Sequence, residues 1–244
     1  MPGLAALEDA VARMPGAPPF RAALAGESVA VIAEIKRRSP SNGVINDELD
    51  AATRATAYWS GGAAALSVLT EPTRFGGSLD DLRAVRAVVD IPLLRKDFIT
   101  HRVQILEARA AGAAAVLLIA RALSPEMLPR LAADAAAVGL DVLIEIRDAD
   151  ELARALDVPD AVIGVNNRNL ETLVIDAAVG ARMIPVVPSG RITVYESGVL
   201  GARDVERAAA LGADAVLVGS VLSGARDGEA AVRAMATVPR RRRG

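Results

Sequence analysis

Short apolar runs alternate with longer segments of helical periodicity along the whole chain. Eight of these runs have the length and composition of buried strands, and they lie at residues 31–36, 64–69, 92–96, 114–119, 141–146, 161–165, 192–196 and 214–218. Helical patterns lie between them, for example at residues 79–89, 102–111, 125–138, 149–156 and 202–211. This alternation predicts an α/β fold, a (β/α)8 TIM barrel, in preference to an open doubly wound sheet.

An internal repeat supports the barrel interpretation. Gly62, Gly112 and Gly212 each precede an Ala-rich apolar run, and they are separated by 50 and 100 residues. If one βα unit takes about 25 residues, these glycines lie two and four units apart. In each copy a glycine ends a helix and a short buried strand follows.

The length of 244 residues and the even composition predict a single domain. We expect an N-terminal helical extension at residues 1–30, with a short helix at 4–13 and a Pro/Gly-rich link at 14–19. The barrel is predicted at residues 31–238. The basic residues 239–244 are predicted to form a solvated C-terminal tail.

Composition removes several classes of chemistry. The chain has no Cys, which excludes disulfides, thiolate catalysis and Cys-based metal sites. His101 is the single histidine, so multi-His metal sites are excluded and a Ser-His-Asp triad is disfavoured. No Gly-rich dinucleotide or P-loop motif follows the first strand. The sequence therefore gives no signal for a Cys-based or multi-His metal site, or for a dinucleotide or P-loop cofactor site.

Charge and hydropathy likewise limit the kinds of partner that the protein is expected to bind. A net charge of −2 gives no reason to expect nucleic acid or an anionic membrane surface. The longest apolar runs are too short to span a bilayer, and no segment resembles a signal peptide. We therefore expect a soluble cytoplasmic protein.

Charged side chains gather at the carboxyl ends of the predicted strands. Glu34 and Lys36 are two residues apart on the first strand, so they point to the same face. The ends of later strands carry Lys96, Glu145, Asn166, Asn167, Arg168 and Glu196. Because active sites of parallel barrels lie where strands end and βα loops begin, this asymmetry predicts an enzyme.

The last two strands end in small residues. Ser197-Gly198 follows the seventh strand, and Gly219-Ser220 follows the eighth. In barrels this position commonly binds phosphate, since bare backbone N–H groups and a hydroxyl can approach the anion closely. Either pair alone could be an ordinary turn, but the two together predict a phosphate site.

The lysines and phenylalanines of this region leave alternatives open. Lys36 and Lys96 could be Schiff-base lysines, general acids or anchors for anions, or could merely pair with Glu34 and Glu145. Phe75 and Phe98 could hold a flat ring or serve only core packing.

The same residues, in this order, resemble the indole-3-glycerol phosphate synthase family of tryptophan biosynthesis. The matching runs cover about residues 29 to 223, and they are AEIKRRSPSNG, LSVLTEPTRFGGSLDDL, LLRKDF, LIEI, GVNNRNL, ESG and GADAVLVGS. The resemblance implies a carboxy-lyase that closes the indole ring of 1-(2-carboxyphenylamino)-1-deoxyribulose 5-phosphate with loss of carbon dioxide and water. It also implies that no cofactor or metal takes part.

The resemblance assigns the catalytic roles. Lys96 corresponds to the general acid that protonates the sugar carbonyl during ring closure, and Glu145 corresponds to the proton-transfer glutamate. Glu34 and Lys36 correspond to the pair that supports dehydration and contacts the substrate carboxylate.

The resemblance also assigns the residues that bind and order the substrate. The polar groups that order the site are Asn166, Arg168 and Glu196. The phosphate cradle is formed by Ser39, Ser197, Gly198, Gly219 and Ser220. Phe75 and Phe98 correspond to the walls around the anthranilate ring.

Two other functions compete with this one. A related barrel isomerase acting on a phosphoribosyl substrate would rely on an Asp or Cys acid/base pair, which the set of Lys36, Lys96 and Glu145 disfavours. A non-catalytic binding or scaffolding barrel would have lost its strand-end charges, and none is lost.

Asn42 and Arg147 depart from the usual residues of the family, and the segment before the first strand is shorter than usual. We expect a monomer that binds a small phosphorylated substrate.

Overall fold

The structure is a computed structural model that describes residues 3–241 and 243. Eight parallel strands close into a barrel, and each strand pairs with its neighbours in chain order, the last pairing with the first. We number them β1 (Ala30–Ile35), β2 (Ala65–Leu69), β3 (Leu93–Lys96), β4 (Ala115–Ile119), β5 (Asp141–Ile146), β6 (Val162–Asn166), β7 (Thr193–Glu196) and β8 (Ala215–Val218). The predicted (β/α)8 fold is confirmed, and each predicted strand overlaps one of these strands.

Helices surround the barrel and close its lower end. They are α1 (Leu4–Ala12), α2 (Phe20–Ala23), α3 (Ala51–Ser60), α4 (Pro72–Phe75), α5 (Leu79–Arg86), α6 (Arg102–Ala110), α7 (Met127–Ala137), α8 (Ala149–Leu156), α9 (Ala178–Met183), α10 (Ala202–Leu211), α11 (Ser220–Ser223) and α12 (Gly228–Ala236). Two 3₁₀ turns lie at Ala120–Ala122 and Ile184–Val186. A small hairpin pairs Arg38–Ser39 with Gly43–Val44 in the loop after β1.

Local sequence signals set where several helices begin. The Ser78 hydroxyl accepts the backbone N–H of Asp81 at 3.1 Å and so caps α5. The Asp148 carboxylate accepts the backbone N–H of Glu151 at 2.9 Å at the start of α8. These caps fix where each βα loop ends, and so fix the loops that surround the upper mouth of the barrel.

Side chains alternate between two cores along each strand. On β1, Val31, Ala33 and Ile35 pack in the layer between the sheet and the helices. Ala30 and Ile32 point into the barrel interior instead. The same alternation places the next inward residue of β1, at its carboxyl end, in the upper mouth.

Helix α2 plugs the lower end of the barrel. Phe20 and Leu24 are fully buried and belong to the same core as Ile32, Leu94 and Leu143, which point inward from three strands. The N-terminal segment is therefore part of the barrel core and not only an appendage. The division of the chain at residues 30 and 238 stays a prediction.

The plug gives a first testable expectation. Phe20→Ala should cost about 3–5 kcal/mol of unfolding free energy, because a fully buried phenyl ring is lost and a cavity remains. Thermal unfolding should show the melting temperature lowered by about 10 °C. Val88→Ala, at a 40% exposed side chain, is the matched control and should change it by about 1 °C or less. Equal shifts in both variants would contradict the plug.

The C-terminal residues differ from the solvated tail that the sequence predicts. Arg240 and Arg243 form ion pairs with the Asp214 carboxylate at 3.2 and 3.1 Å. The Arg243 guanidinium also donates to the carbonyls of Gly212 and Arg191. A buried carboxylate at the start of β8 attracts these cations, so the prediction of solvation is wrong for both residues; Arg242 and Gly244 lie outside the described residues.

No helix in the described part of the chain is long and apolar enough to cross a membrane.

Candidate active site

Four charged side chains converge in the upper mouth of the barrel. They come from alternate strands: Glu34 from β1, Lys96 from β3, Glu145 from β5 and Glu196 from β7. Each layer of side chains inside such a barrel is formed by four residues from alternate strands. These four residues therefore form the top layer of the interior. Here the layer consists of one cation and three carboxylates.

Lys96 lies among the three carboxylates. Its Nζ is 3.4 Å from an oxygen of Glu196 and 3.8 Å from one of Glu145, and 4.0 Å from one of Glu34. The three carboxylates are almost fully buried. The Lys96 ammonium is thus the shared counter-ion of the three carboxylates. Buried carboxylates need such a partner because an unpaired buried charge is costly.

Lys36 completes the charged set from just beyond the end of β1. Its Nζ donates to the Glu34 carboxylate at 2.6 Å. The pairing places Glu34 between two ammonium groups, one on each carboxylate oxygen. The two-residue spacing predicted a common face for Glu34 and Lys36, and the structure confirms it.

These contacts set the protonation states of Lys96 and Glu34. Burial alone would lower the pKa of Lys96, but the carboxylates of Glu196, Glu34 and Glu145 raise it above its ordinary value. Burial alone would raise the pKa of Glu34, but Lys36 and Lys96 hold it below its ordinary value. Lys96 is therefore a protonated group at neutral pH, and Glu34 is ionised.

Glu196 has the opposite character. Burial, together with repulsion from Glu145 and Glu34, outweighs the attraction of Lys96 and raises the pKa of Glu196 to about 7. Its second oxygen, Oε1, is buried and has no hydrogen-bond partner. This oxygen lies over Gly164, where a Cβ would be only 2.1 Å away from it. Gly164 is needed there because any side chain would displace Glu196.

The raised pKa of Glu196 predicts a pH-dependent stability. Because the folded state holds this proton up to about pH 7 and the ordinary value is 4.5, folding binds a proton between these pH values. Stability due to Glu196 therefore falls as pH rises through this window. Glu196→Gln, which cannot ionise, should gain stability relative to wild type by on the order of 3 kcal/mol between pH 4.5 and 8.

Urea unfolding at several pH values measures this difference. Glu206→Gln, on the exposed face of α10, is the control and should show a pH-independent difference from wild type. A Glu196→Gln difference that is equally flat would show that Glu196 ionises as an ordinary glutamate.

A cavity of about 270 Å³ opens above the charged layer. Phe75 and Phe98 form one wall, with ring centroids 6.3 Å apart and planes inclined by 46°. The Arg74 guanidinium lies 5.8 Å from the centroid of the Phe98 ring, which is a cation–π contact. This contact stabilises the position of Phe98, which is 39% exposed. Leu117 and Ile119 of β4 also line the cavity. These apolar surfaces suit a flat apolar group.

A buried network lies behind Lys96. The Asp97 carboxylate accepts from the Thr70 hydroxyl at 2.6 Å and from the Arg95 guanidinium at 2.9 Å. Its other oxygen accepts the backbone N–H of Phe98 at 2.8 Å. Arg95 also pairs with Glu107 of α6 at 3.3 Å. The network fixes the turn that carries both Lys96 and Phe98.

The strand ends of β6 and β7 meet through Asn166. Its Oδ1 accepts the Ser197 hydroxyl and the backbone N–H of Arg168, both at 2.9 Å. Arg168 donates to the Leu173 carbonyl at 2.9 Å and its side chain lines the cavity. Ser197 and Gly198 both have positive φ, 65° and 87°, so the turn has a conformation that is costly for serine.

Gly219 follows β8 close to the charged pair of β1. A Cβ there would be 2.3 Å from Glu34 Oε1 and 2.8 Å from Lys36 Nζ. Glycine is therefore required for Lys36 and Glu34 to reach each other beside the backbone of the last strand.

Most of the predicted site residues come together in this cavity. Those that line it are Glu34, Lys36, Phe75, Lys96, Phe98, Glu145, Asn166, Arg168, Glu196, Ser197, Gly198, Gly219 and Ser220. Ser39 does not line it: its hydroxyl accepts the backbone N–H of Asn42 at 3.2 Å inside the hairpin after β1. It is Asn42 of that hairpin that reaches the cavity.

Sequence reasoning missed the apolar part of the lining. Leu117, Ile119, Leu170, Ile175 and Leu200 all contact the cavity. An apolar residue at a strand end resembles any core residue in sequence, so no local signal marks it. Among the described residues, no group of three or more His, Cys, Asp or Glu side chains is arranged to hold a metal ion.

Comparisons with known proteins agree on one family. Residues 1–235 match the family model described as indole-3-glycerol phosphate synthase. An indole-3-glycerol phosphate synthase from Nocardioides sp. is 52% identical over 234 residues, 96% of this chain and 88% of that protein. Indole-3-glycerol phosphate synthase 1 of Streptomyces coelicolor is 52% identical over 211 residues, 86% of this chain and 78% of that protein.

A solved structure with little sequence similarity shares the fold. Thiamine phosphate pyrophosphorylase from Pyrococcus furiosus has a TM-score of 0.63 at 15% identity, covering 87% of this chain and 95% of that one. At this identity the likeness concerns the barrel architecture alone.

Proposed function

The chain belongs to the indole-3-glycerol phosphate synthase family, and on that premise we propose how its own residues divide the work of the reaction. The enzyme is a carboxy-lyase of tryptophan biosynthesis that carries out a decarboxylating ring closure. The charged layer at the floor of the cavity performs the proton transfers, and the turns at its rim hold the substrate. The convergence of three carboxylates on Lys96 is the observation that carries this division.

Ring closure needs an acid at the sugar carbonyl. The ring carbon that bears the carboxylate attacks the carbonyl carbon, and the carbonyl oxygen takes a proton from the Lys96 ammonium. The C–CO₂ bond then breaks, and its electron pair restores the aromatic ring. Lys96 suits the step because it is protonated at neutral pH and because its charge stabilises the developing alkoxide in a site of low dielectric constant.

Dehydration needs an acid and a base. The hydroxyl formed in the first step leaves as water after it is protonated, and a neighbouring methylene carbon loses a proton. Glu145 is proposed as the proton-transfer glutamate, since its carboxylate lies 3.8 Å from Lys96 Nζ and can pass protons to it. Glu34 and Lys36, hydrogen-bonded at 2.6 Å, support this step, and Lys36 contacts the substrate carboxylate.

The rim residues bind the two ends of the substrate. Ser197, Gly198, Gly219 and Ser220 are proposed to hold the phosphate, because small residues after β7 and β8 let backbone and hydroxyl donors approach an anion. Phe75 and Phe98 are proposed to enclose the anthranilate ring, with Asn166, Arg168 and Glu196 ordering the polar groups between. Ser39 in this cradle stays a prediction.

Ser220→Ala tests the proposed phosphate site. Loss of one hydroxyl donor to a charged phosphate should raise KM about tenfold, while kcat changes by less than about twofold. The assay follows the rise of indole fluorescence when protein and the carboxyphenylamino substrate are mixed without added metal or nucleotide. Ser124→Ala, at an exposed hydroxyl that contacts Glu126 outside the cavity, is the control. A fall in kcat at constant KM would contradict the assignment.

We further propose that the enzyme acts as a monomer in the cytoplasm, where a phosphorylated biosynthetic intermediate is retained. Light scattering after size exclusion would give about 25 kDa for a monomer, in line with the chain mass of 25.2 kDa. A mass of twice this value would contradict the proposal.

A further inference from the structure

The Ser197–Gly198 turn holds two consecutive residues in the left-handed region. Their φ angles are 65° and 87°. Glycine adopts this conformation freely, but for serine it is unfavourable and persists only where neighbouring groups enforce it. Contacts within the protein must therefore hold the Ser197 backbone in this conformation.

Asn167 makes the contacts that hold it. Its side-chain amide donates to the carbonyls of Glu196 and Ser197 at 2.8 and 3.2 Å. Its own backbone N–H donates to the same Glu196 carbonyl at 3.1 Å. Asn167 is completely buried, so water does not compete for these bonds.

The other end of the Asn167 side chain is tied to a helix. Its Oδ1 accepts the backbone N–H of Gly180 in α9 at 2.8 Å. A Cβ at Gly180 would be 2.6 Å from the Tyr195 ring and 2.9 Å from this oxygen, so only glycine permits the approach. The amide is thus unambiguously oriented, since the reverse orientation would face two carbonyls with an oxygen.

The hydrogen bonds of Asn167 determine where the N–H groups of the Ser197–Gly198 turn point. In a trans peptide the carbonyl of one residue and the N–H of the next point in opposite directions. Because Asn167 holds the Glu196 and Ser197 carbonyls on its side, the N–H groups of Ser197 and Gly198 point away from it. Ser197 and Gly198 line the cavity and Asn167 does not, from which we infer that these N–H groups face the cavity.

Asn166 and Asn167 therefore have different tasks although they are adjacent. Asn166 faces the cavity and accepts the Ser197 hydroxyl at 2.9 Å. Asn167 faces the opposite way and does not line the cavity. We propose that Asn167 is a positioning residue that presets the Ser197–Gly198 N–H groups to receive the substrate phosphate, an inference that rests on the proposed phosphate site.

Asn167→Ala tests this proposal, with inorganic phosphate as a competitive probe. The inhibition constant of phosphate and the KM of the substrate should both rise about tenfold, because the preset donors are lost. The kcat at saturating substrate should stay within about threefold, because no reacting atom is touched. A general loosening of the fold would instead lower kcat without a selective loss of phosphate affinity.

Asn169→Ala is the matched control. Asn169 lies two residues further along the same loop, and its Oδ1 accepts the backbone N–H groups of Glu171 and Thr172. None of its hydrogen bonds in the described part of the chain reaches the Ser197 turn, so phosphate inhibition should stay within about twofold of wild type. If Asn167→Ala does not fold, Asn167→Ser is measured, and its hydroxyl should leave an intermediate rise of about threefold.

Ser220→Ala separates failure of this inference from failure of the proposed function. If Ser220→Ala weakens phosphate inhibition while the folded Asn167 variants do not, the positioning role is wrong and the phosphate site stands. If neither substitution affects phosphate inhibition, the phosphate site itself is wrong and the inference is overturned with it.

Discussion

Lys96→Ala should lower kcat by about 10³- to 10⁴-fold, because ring closure then lacks its acid and the developing alkoxide lacks its counter-ion. The loss should fall on kcat and not on phosphate recognition, since the phosphate residues lie on other loops. The change also leaves three buried carboxylates without their shared ammonium, which should cost about 3–5 kcal/mol of stability. Single-turnover kinetics, followed by indole fluorescence, measures the chemical step directly.

Lys96→Met is the companion variant for this test. It keeps most of the side-chain volume and removes the ammonium group, so it separates the missing proton from the missing volume. Inhibition by inorganic phosphate should remain within about twofold of wild type in both variants. Product formation at a near wild-type rate in either folded variant would show that Lys96 is not the acid.

Glu145→Gln is expected to lower kcat by about 10²- to 10⁴-fold with a change in KM below about threefold. Glutamine keeps the shape of the side chain but cannot exchange a proton with Lys96, whose Nζ lies 3.8 Å from the Glu145 carboxylate. The proton that must move between ring closure and dehydration then has no nearby relay. Steady-state kinetics with the same fluorescence assay gives both constants.

Glu171→Gln is the matched control for Glu145→Gln. Glu171 lies on the loop after β6, and its side chain is 76% exposed beside Arg121. The same change of charge near the mouth should leave kcat within about twofold of wild type, since an exposed charge acts weakly. A similar fall in both variants would assign the effect to the electrostatic field of the mouth and not to proton transfer by Glu145.

Much of the site follows from periodicity. The spacing of Glu34 and Lys36 predicted a common face, and the structure joins their side chains at 2.6 Å. The position of Lys96 at the end of an apolar run predicted the upper mouth, and Lys96 lies there. These predictions hold because strand alternation and the placement of strand ends are local consequences of the chain.

The remaining parts of the site depend on neighbours that are distant in sequence. Leu117 and Ile119 line the cavity although an apolar strand end has no distinguishing pattern. Asn166 and Asn167 are the same residue type at adjacent positions, yet one faces the cavity and the other clamps the Ser197 backbone. Asn167 has this role only because the end of β7 and Gly180 of α9 both lie within hydrogen-bond distance of its side chain.

The C-terminal arginines show the same limit. A run of basic residues at a chain end is normally solvated, and the local sequence contains nothing to suggest otherwise. Arg240 and Arg243 nevertheless pair with Asp214, which lies about thirty residues earlier at the start of β8. A buried carboxylate attracts whichever cation the fold brings near it.

The sequence alone determined the barrel, its strand order, the end of the barrel at which the charged side chains gather and the residue types available there. Periodicity and turn residues act over a few positions, so these features need no knowledge of distant contacts. The tertiary structure decided how three carboxylates share Lys96, why the pKa of Glu196 is raised and which asparagine holds the Ser197–Gly198 turn. Those properties depend on distances and burial between strands far apart in the chain, and electrostatic and hydrogen-bond energies vary steeply with both.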